Sequence, residues 1–412
     1  MIQTHTDQLV ESTRDAIQGL RVALIELFGQ AGVNAAQPVE VAKAIGFHKN
    51  LAWRISRVIS ASDPFAALAH MPGTSGFEIA IAAFERANVS ASAVAAAREA
   101  LRRFDEVVDH HAGDRAHLEL ILDSMGLLGN ENRLESSREM FFKGASGLWG
   151  VQARTRLMSV ILAPSKTSAD YYDAVMVAGF MGFRRLRPTA TWRLFRYQYS
   201  DEKQPVNGKA PPTPPSDVPY SEPLDTNPGE HPMLLRRFCS ANMPPIEAVR
   251  VGDKVEHYLA GGPVGNAGTF DCTVGNITRN LPGYATPEDA TSSFASSVSL
   301  PVEQLVFDII VHRERPLPTP EVRVFGFPHG GPDDPSAQQQ RNLLPISGEF
   351  EELAGSPPAV TTPSVPRYAE IAQSVYERLG YRPAEFRGIR MVMPYPPMNS
   401  MVVARWDLPK RT

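Results

Sequence analysis

Residues 47–57 read FHKNLAWRISR, and the polar side chains His48, Lys49, Asn50, Arg54 and Arg57 all carry N–H donors, with no carboxylate among them. An ammonium or guanidinium neutralises an oxyanion, and the planar ends of arginine and asparagine make paired hydrogen bonds to flat acceptor edges. The chemistry of this set is recognition of an anionic, acceptor-rich surface. A second set lies in FRRLRPTATWRLFRYQY, residues 183–199, which holds five arginines among five aromatic residues and no acid. Arginines among aromatics can clamp an anion or stack on a flat ring. Arg184, Arg185, Arg187, Trp192, Arg193 and Arg196 are therefore the candidate wall of a small-ligand site. The competing expectation is a strand pair whose aromatic face is core and whose arginines are solvated or paired with acids further along.

Other combinations offer less. EVVDHHAGDRAH places Asp109, His110, His111, Asp114 and His117 within nine residues. Imidazole and carboxylate suit zinc, but adjacent histidines point about 100° apart on a helix and do not both join His117. No metal site is assigned. AGGPVGNAG, residues 260–268, lies between two strand-like runs rather than before a helix, so a hairpin loop is expected instead of a phosphate cradle. Cys239 and Cys272 sit in no CxxC pattern and at no basic helix start, and are expected to be ordinary buried thiols. There is no GxSxG, HExxH or P-loop, and Asp308 and Glu314 have no partner that the sequence nominates. No catalytic residue and no cofactor is assigned.

The elements that must position these residues differ between the two halves. With 412 residues the chain should be multidomain, and its 43% apolar content, 21% charged content and formal charge of −4 are those of a water-soluble globular protein. Any contact with a polyanion must be local. Five of the 36 prolines precede residue 200, and the balance of Lys+Arg over Asp+Glu is +2 before it and −6 after it. The first half reads as helices: 6–32, with Leu9, Ile17, Leu20, Leu24 and Phe28 on one stripe, then 76–88, then 90–113 capped by Ser90, then 114–129. A long helix over 134–164 and another near 168–178 are expected next, giving way to strands in 182–200. Residues 201–232 are proline-rich and read as a linker or arm. Beyond them, strand-like runs over 246–260, 269–278, 304–314, 321–327, 389–394 and 400–408 surround one helix at 367–381, with irregular loops at 281–300 and 328–345. The fold class expected is multidomain. An all-α domain spans 1–130, a helix-to-strand α/β segment and candidate sensor 131–200, the linker 201–232, and a β-rich α+β domain 233–412.

Within the first domain, VEVAKAIGFHKNLAWRISRVI (39–59) puts apolar Val41, Ile45, Phe47, Ala52 and Ile55 where two short helices would face each other and a third. Ala42 stands at the crossing, Gly46 at the turn, and Pro38 at the first helical position. His48, Lys49, Asn50, Trp53, Arg54 and Arg57 are left facing outward. This segment resembles the helix-turn-helix DNA-binding domains of bacterial transcriptional regulators. The resemblance implies a helix packed behind the motif, a recognition helix at about 47–59, and a homodimer reading two half-sites on double-stranded DNA. It further implies phosphate anchoring by Lys49, Arg54 and Arg57, with His48, Lys49 and Asn50 presented to bases. No β-hairpin wing is expected after it, because residues 60–81 carry Pro64 and Pro72 and no strand alternation. The function expected is transcriptional regulation, with a small anionic or aromatic ligand sensed by the C-terminal region. A structural or assembly protein using the motif for protein contacts is the alternative, and an enzyme with an unrecognised site in the C-terminal half a weaker one. No run is long and apolar enough for a membrane span, and the first residues lack the basic start and apolar core of a signal peptide, so a cytoplasmic protein is expected.

Overall fold

Helical apolar stripes and short, fully apolar runs demand different partners, and the chain satisfies them in two separate units, 1–134 and 135–412. The computed structural model describes residues 2–128, 131–168, 170–198, 220–225, 233–251, 254–285, 290–326 and 342–410.

The first unit is helical. It runs α1 (Ile2–Gln30), α2 (Pro38–Ile45), α3 (Lys49–Ser60), α4 (Pro64–Leu68), α5 (Thr74–Arg86), α6 (Ala91–His111) and α7 (Arg115–Ser124). Ile17, Leu20, Leu24 and Phe28 of the expected stripe are buried, and Leu9 is half-buried. α1 and α6 pack antiparallel: Ser12 Oγ meets His111 Nε2 at 2.9 Å near one end, and Gln30 Oε1 accepts from the Ser90 N–H at 3.0 Å near the other. Ser90 caps α6, its hydroxyl accepting from the Ala93 N–H at 3.3 Å, which satisfies a donor that the helix start leaves unpaired. Between α2 and α3 the chain turns on Gly46, at φ 83° and ψ 35°. That left-handed conformation is open to glycine at little cost. Val41, Ile45, Phe47, Ala52 and Ile55 are all buried, and each fully buried Ile or Phe contributes roughly 1.5–3 kcal/mol. Arg21 of α1 donates to the Val58 carbonyl at 3.1 Å, to Ile59 at 3.2 Å and to Ala61, a cation at the negative end of α3. No strand follows α3; α4 does.

The second unit contains α8 (Glu131–Trp149) from Glu135 onward, then β1 (Val151–Pro164), β2 (Tyr171–Arg185), β3 (Trp192–Gln198), β4 (Tyr220–Pro223), β5 (Ile246–Val251), β6 (Lys254–Leu259), β7 (Phe270–Pro282), β8 (Thr291–Val298), β9 (Val302–His312), β10 (Glu321–Gly326), β11 (Leu343–Leu344), β12 (Glu351–Glu352), α9 (Tyr368–Leu379), β13 (Phe386–Pro394) and β14 (Ser400–Asp407). Among the described residues, seven strands form one sheet in the order β12-β13-β9-β1-β2-β7-β4, four form another in the order β11-β10-β14-β8, and β3-β6-β5 form a third. β1 lies parallel to β9 and antiparallel to β2. α9 covers one face of the large sheet, where Ile371, Val375, Tyr376 and Leu379 share a core with Leu157, Val177, Val306, Ile310 and Phe386.

The all-α first part and β-rich second part are as expected, with four corrections. Residues 151–164 are strand rather than the continuation of a helix, because the chain breaks at Gly150 with φ 73°. Residues 171–185 are likewise a strand. Both are covered on both faces, so they lack the alternation that marks a half-exposed strand. Residues 281–300 are not all loop, since β8 lies within them. Finally, the proline-rich stretch does not separate two domains: β2, before it, pairs with β7, after it, and β4 from within it pairs with β7 too. Residues 201–219, 226–232 and most of 328–345 lie outside the described residues.

Candidate functional site

Burial of Ala52, Ile55 and Val58 fixes the rotation of α3, so its opposite face must carry the polar residues. His48, Lys49, Asn50, Trp53, Arg54 and Arg57 are all exposed. His48 caps the helix: its Nδ1 accepts the Asn50 N–H at 3.2 Å, which leaves Nε2 as the ring's donor, pointing away from the cap. Lys49 and Asn50 follow in the first turn, where unpaired N–H groups and the helix dipole already favour an anion. Trp53 is 47% exposed. The Arg57 guanidinium lies 5.5 Å above its ring, and the His70 ring meets it edge-on at 5.8 Å.

Arg54 departs from the rest. Its Nε donates to the His70 carbonyl at 3.2 Å and its Nη2 to the Met71 carbonyl at 2.5 Å. The expected phosphate anchor is thus tied to the chain beyond α4, and three of its five donors remain. His48, Lys49, Asn50 and Arg57 keep their outward positions without such a tie to the fold's carbonyls, beyond the His48 cap.

The second expected set does not converge. Arg184 and Arg185 are neighbours on a strand and point to opposite faces. Arg184 reaches Glu303 at 3.4 Å and faces the Gln152 amide. Arg185 is fully buried, donating to the Ala190 carbonyl at 3.0 Å and to that of Ala260, and burial pushes its guanidinium pKa down. Arg187 donates to the Leu148 carbonyl at 2.8 Å, closing the C-terminus of α8. Trp192 is 9% exposed against Trp149, and Arg193 pairs with Glu256 at 2.8 Å. Arg196 lies on β3 opposite Glu256, with its side chain outside the described residues. Arg184, Arg185, Arg187 and Arg193 therefore brace turns or pair with acids, as in the competing expectation, and do not converge on one wall. A cavity of 480 Å³ opens elsewhere in this unit, lined by Tyr172, Met176, Thr278, Phe294 and Leu408 among others. There the Tyr172 hydroxyl meets Ser292 Oγ at 3.0 Å.

Of the weaker sets, Asp114 caps α7 by accepting the His117 N–H at 2.8 Å, and the rings of His110 and His111 lie 4.6 Å apart. Burial, then the charge of His110, lowers the His111 pKa. Among the described residues, no group of three His, Cys, Asp or Glu could hold a metal ion. The glycine-rich stretch 260–268 is not a hairpin loop: β6 pairs with β3 and β5, and β7 with β2 and β4, so it crosses between sheets. Among the described residues, no helix is long and apolar enough to cross a membrane.

One buried constellation escaped the sequence. Asp308, fully buried on β9, accepts from Arg390 Nε at 2.8 Å, Arg390 Nη2 at 2.7 Å and the Tyr368 hydroxyl at 2.7 Å. Arg390 is its cross-strand neighbour on β13 and also holds the Val360 carbonyl at 2.7 Å. Burial raises the Asp308 pKa against the pull of Arg390 and Tyr368, and raises that of Tyr368 well above its ordinary value. The signal was present: a carboxylate inside the apolar run LVFDIIV must find a cation or a hydroxyl. With no solvent at the carboxylate, the arrangement braces α9 and β13 on β9 and offers no surface for a substrate.

No protein-family model matches the chain, and no curated protein matches it. Among solved structures, a "putative protease" from Parabacteroides distasonis is similar over 63% of this chain and 41% of that chain, at 9% sequence identity and a TM-score of 0.26. The chain thus spans less than half of that protein's length, and a likeness so slight carries neither fold nor activity across.

Proposed function

We propose that residues 38–60 are a helix-turn-helix that binds double-stranded DNA, and that the protein is a transcriptional regulator. The observation that carries this reading is the exposed face of α3, where His48, Lys49, Asn50 and Arg57 stand together with no carboxylate on the helix. Phosphate oxygens take Lys49 and Arg57, and the first turn, with His48, Lys49 and Asn50, is the part that meets base edges. Arg54 contributes mainly by holding α3 to the chain after α4. A homodimer is part of the reading, supported by a groove of 930 Å³ between α1 and α6, floored by Ala16, Gly19, Ala23 and Ala100 and flanked by half-exposed Val22. A small aromatic ligand would enter the cavity beside Tyr172 in the second unit.

The test is a salt series with the full chain and a fluorescent duplex, read by anisotropy. Affinity should fall steeply from ~50 to ~200 mM salt, and Lys49→Ala and Arg57→Ala should each reduce the slope by about 1. If the wild-type chain leaves the duplex free at the lowest salt, DNA binding is lost as a function.

A second reading is favoured by one observation, the exposed Trp53 under Arg57. Tryptophan and arginine are the residues that most often anchor protein interfaces. On this reading α3 docks on another protein, and Trp53→Ala abolishes that association while duplex binding is absent throughout.

A further inference from the structure

The chain has two cysteines, Cys239 and Cys272, and the sheet edge brings them together. The segment 233–240 runs along β7 beside β4. Gly275 N–H donates to the Met233 carbonyl at 2.8 Å, Leu235 N–H to Thr273 at 3.0 Å, and Ser240 N–H to Asp271 at 3.0 Å. The Asp271 N–H in turn donates to Ser240 Oγ at 2.8 Å. These four bonds fasten the backbone on either side of Cys239 to that on either side of Cys272. Cys239 Sγ lies against the peptide unit that follows Cys272: it accepts the Thr273 N–H at 3.4 Å and is 3.6 Å from the Thr273 carbonyl and 3.5 Å from that of Leu235, to which its S–H can donate.

The environments of the two sulfurs differ. Cys239 is half-buried and Cys272 is 2% exposed, so a small oxidant meets Cys239 first. Cys272 shares a row across the sheet with Phe180 and Arg156, and the Arg156 guanidinium lies 4.7 Å from the Phe180 ring with its Nε unpartnered. The Cys272 side chain, then the Thr273 N–H and the nearby charge of Arg236, hold the Cys239 thiol below its ordinary range against burial. Cys272, beside Cys239 and buried, is raised well above it. Of the two, the half-buried Cys239 is thus the one that loses its proton more readily.

We propose that Cys239 and Cys272 form a peroxide-reactive dithiol, in which Cys239 is oxidised first and Cys272 resolves it to an intramolecular disulfide. The Cys239 thiolate attacks one oxygen of hydrogen peroxide. The O–O bond breaks, and the departing hydroxide takes a proton to leave as water, giving a sulfenic acid. Cys272 then attacks the Cys239 sulfur and the S–O bond breaks. The hydroxide released takes the Cys272 proton and leaves as a second water. In sum two thiols and one peroxide give one disulfide and two waters. A dithiol reductant reverses the step by thiol–disulfide exchange, leaving itself oxidised.

The wild-type full chain tests this directly, with no substitution that could disturb the fold. Equimolar hydrogen peroxide should remove both thiols from an Ellman titration in denaturant, lower the intact mass by about 2 Da, and yield a peptide linking 239 to 272 that dithiothreitol separates. In Cys272→Ser the sulfenic acid has no resolving partner, and dimedone should label Cys239; in Cys239→Ser, Cys272 should stay reduced. Persistence of both thiols in excess peroxide overturns the proposal, as does a cross-link found only between chains, or labelling of Cys272 at the wild-type rate of peroxide consumption.

Discussion

Arg54 and Arg115 donate to the same oxygen: the Met71 carbonyl accepts from Arg54 Nη2 at 2.5 Å and from Arg115 Nη2 at 2.9 Å. Arg115 also holds the carbonyls of Leu68 at 2.8 Å and Pro72 at 2.6 Å. Two cations thus gather the carbonyls at and just beyond the C-terminal end of α4, of which that of Leu68 also accepts the Met71 N–H at 3.2 Å. Arg54→Ala should therefore act on stability, lowering it by about 1–3 kcal/mol. Lys49→Ala should leave stability within ~0.5 kcal/mol while reducing the salt slope of duplex binding. Urea unfolding beside the anisotropy series separates the two. An Arg54→Ala chain that unfolds at the wild-type midpoint yet loses the salt slope would make Arg54 a ligand contact instead.

The turn before α3 depends on one backbone conformation. Gly46 sits at φ 83°, and a Cβ built on it meets nothing within 4 Å. The obstacle to other residues is backbone strain rather than space. Gly46→Ala should lower stability by roughly 1–2 kcal/mol, and Gly46→Asn by less, since asparagine visits the left-handed region more readily. Equal losses for both would point to a steric cause.

The brace around Asp308 makes an asymmetric prediction. Asp308→Ala strands the Arg390 charge, which is 15% exposed, and should cost about 3–5 kcal/mol. Replacing both residues by leucine removes the stranded charge and should recover part of that loss, while Tyr368→Phe alone should cost roughly 1–2 kcal/mol. Urea midpoints of the three variants check this. A double variant less stable than Asp308→Ala would show that the pair contributes more than charge compensation.

Acid should weaken the first unit through Glu99. Hydrogen bonds from Arg102 and then Arg103 bring its pKa down to about 2. A depressed folded-state pKa means that the unfolded chain takes up the proton first as pH falls. The stabilising contribution is therefore present above the ordinary carboxylate range and is lost on descent from there to about pH 2. Melting curves across this window should shift down, less so in high salt because these side chains are exposed. Glu99→Gln should flatten the dependence; an unchanged profile would remove Glu99 from it.

Much of the first unit was legible because periodicity and punctuation agree there: the Leu20–Leu24–Phe28 stripe, the Ser90 cap and Gly46 each describe a local geometry. Strands β1 and β2 were not, because covering both faces erases alternation and leaves an apolar run that a helix could equally bury. β8, TSSFASSV, carries too few large apolar residues to announce itself. The arginines were the least legible class. Arg54, Arg185 and Arg187 each donate to backbone carbonyls, and carbonyls look the same at every position of a sequence. His48, Lys49, Asn50 and Arg57 were placed outward by the burial of Ala52 and Ile55 alone, which is why their exposure was legible while the partners of the arginines were not.

Ala153 pairs with Val302, and β1 lies between β2 and β9, a strand encoded far beyond it in the chain. A ribosome therefore completes the helical unit and the β1–β2 hairpin long before β9 exists. Until then one edge of a strand that is buried along most of its length stays open, the kind of edge that recruits other strands. The order of synthesis thus sets a waiting time: slowing translation after β2 prolongs a nascent state that chaperones must shield, and chains cut short before β9 should aggregate rather than fold.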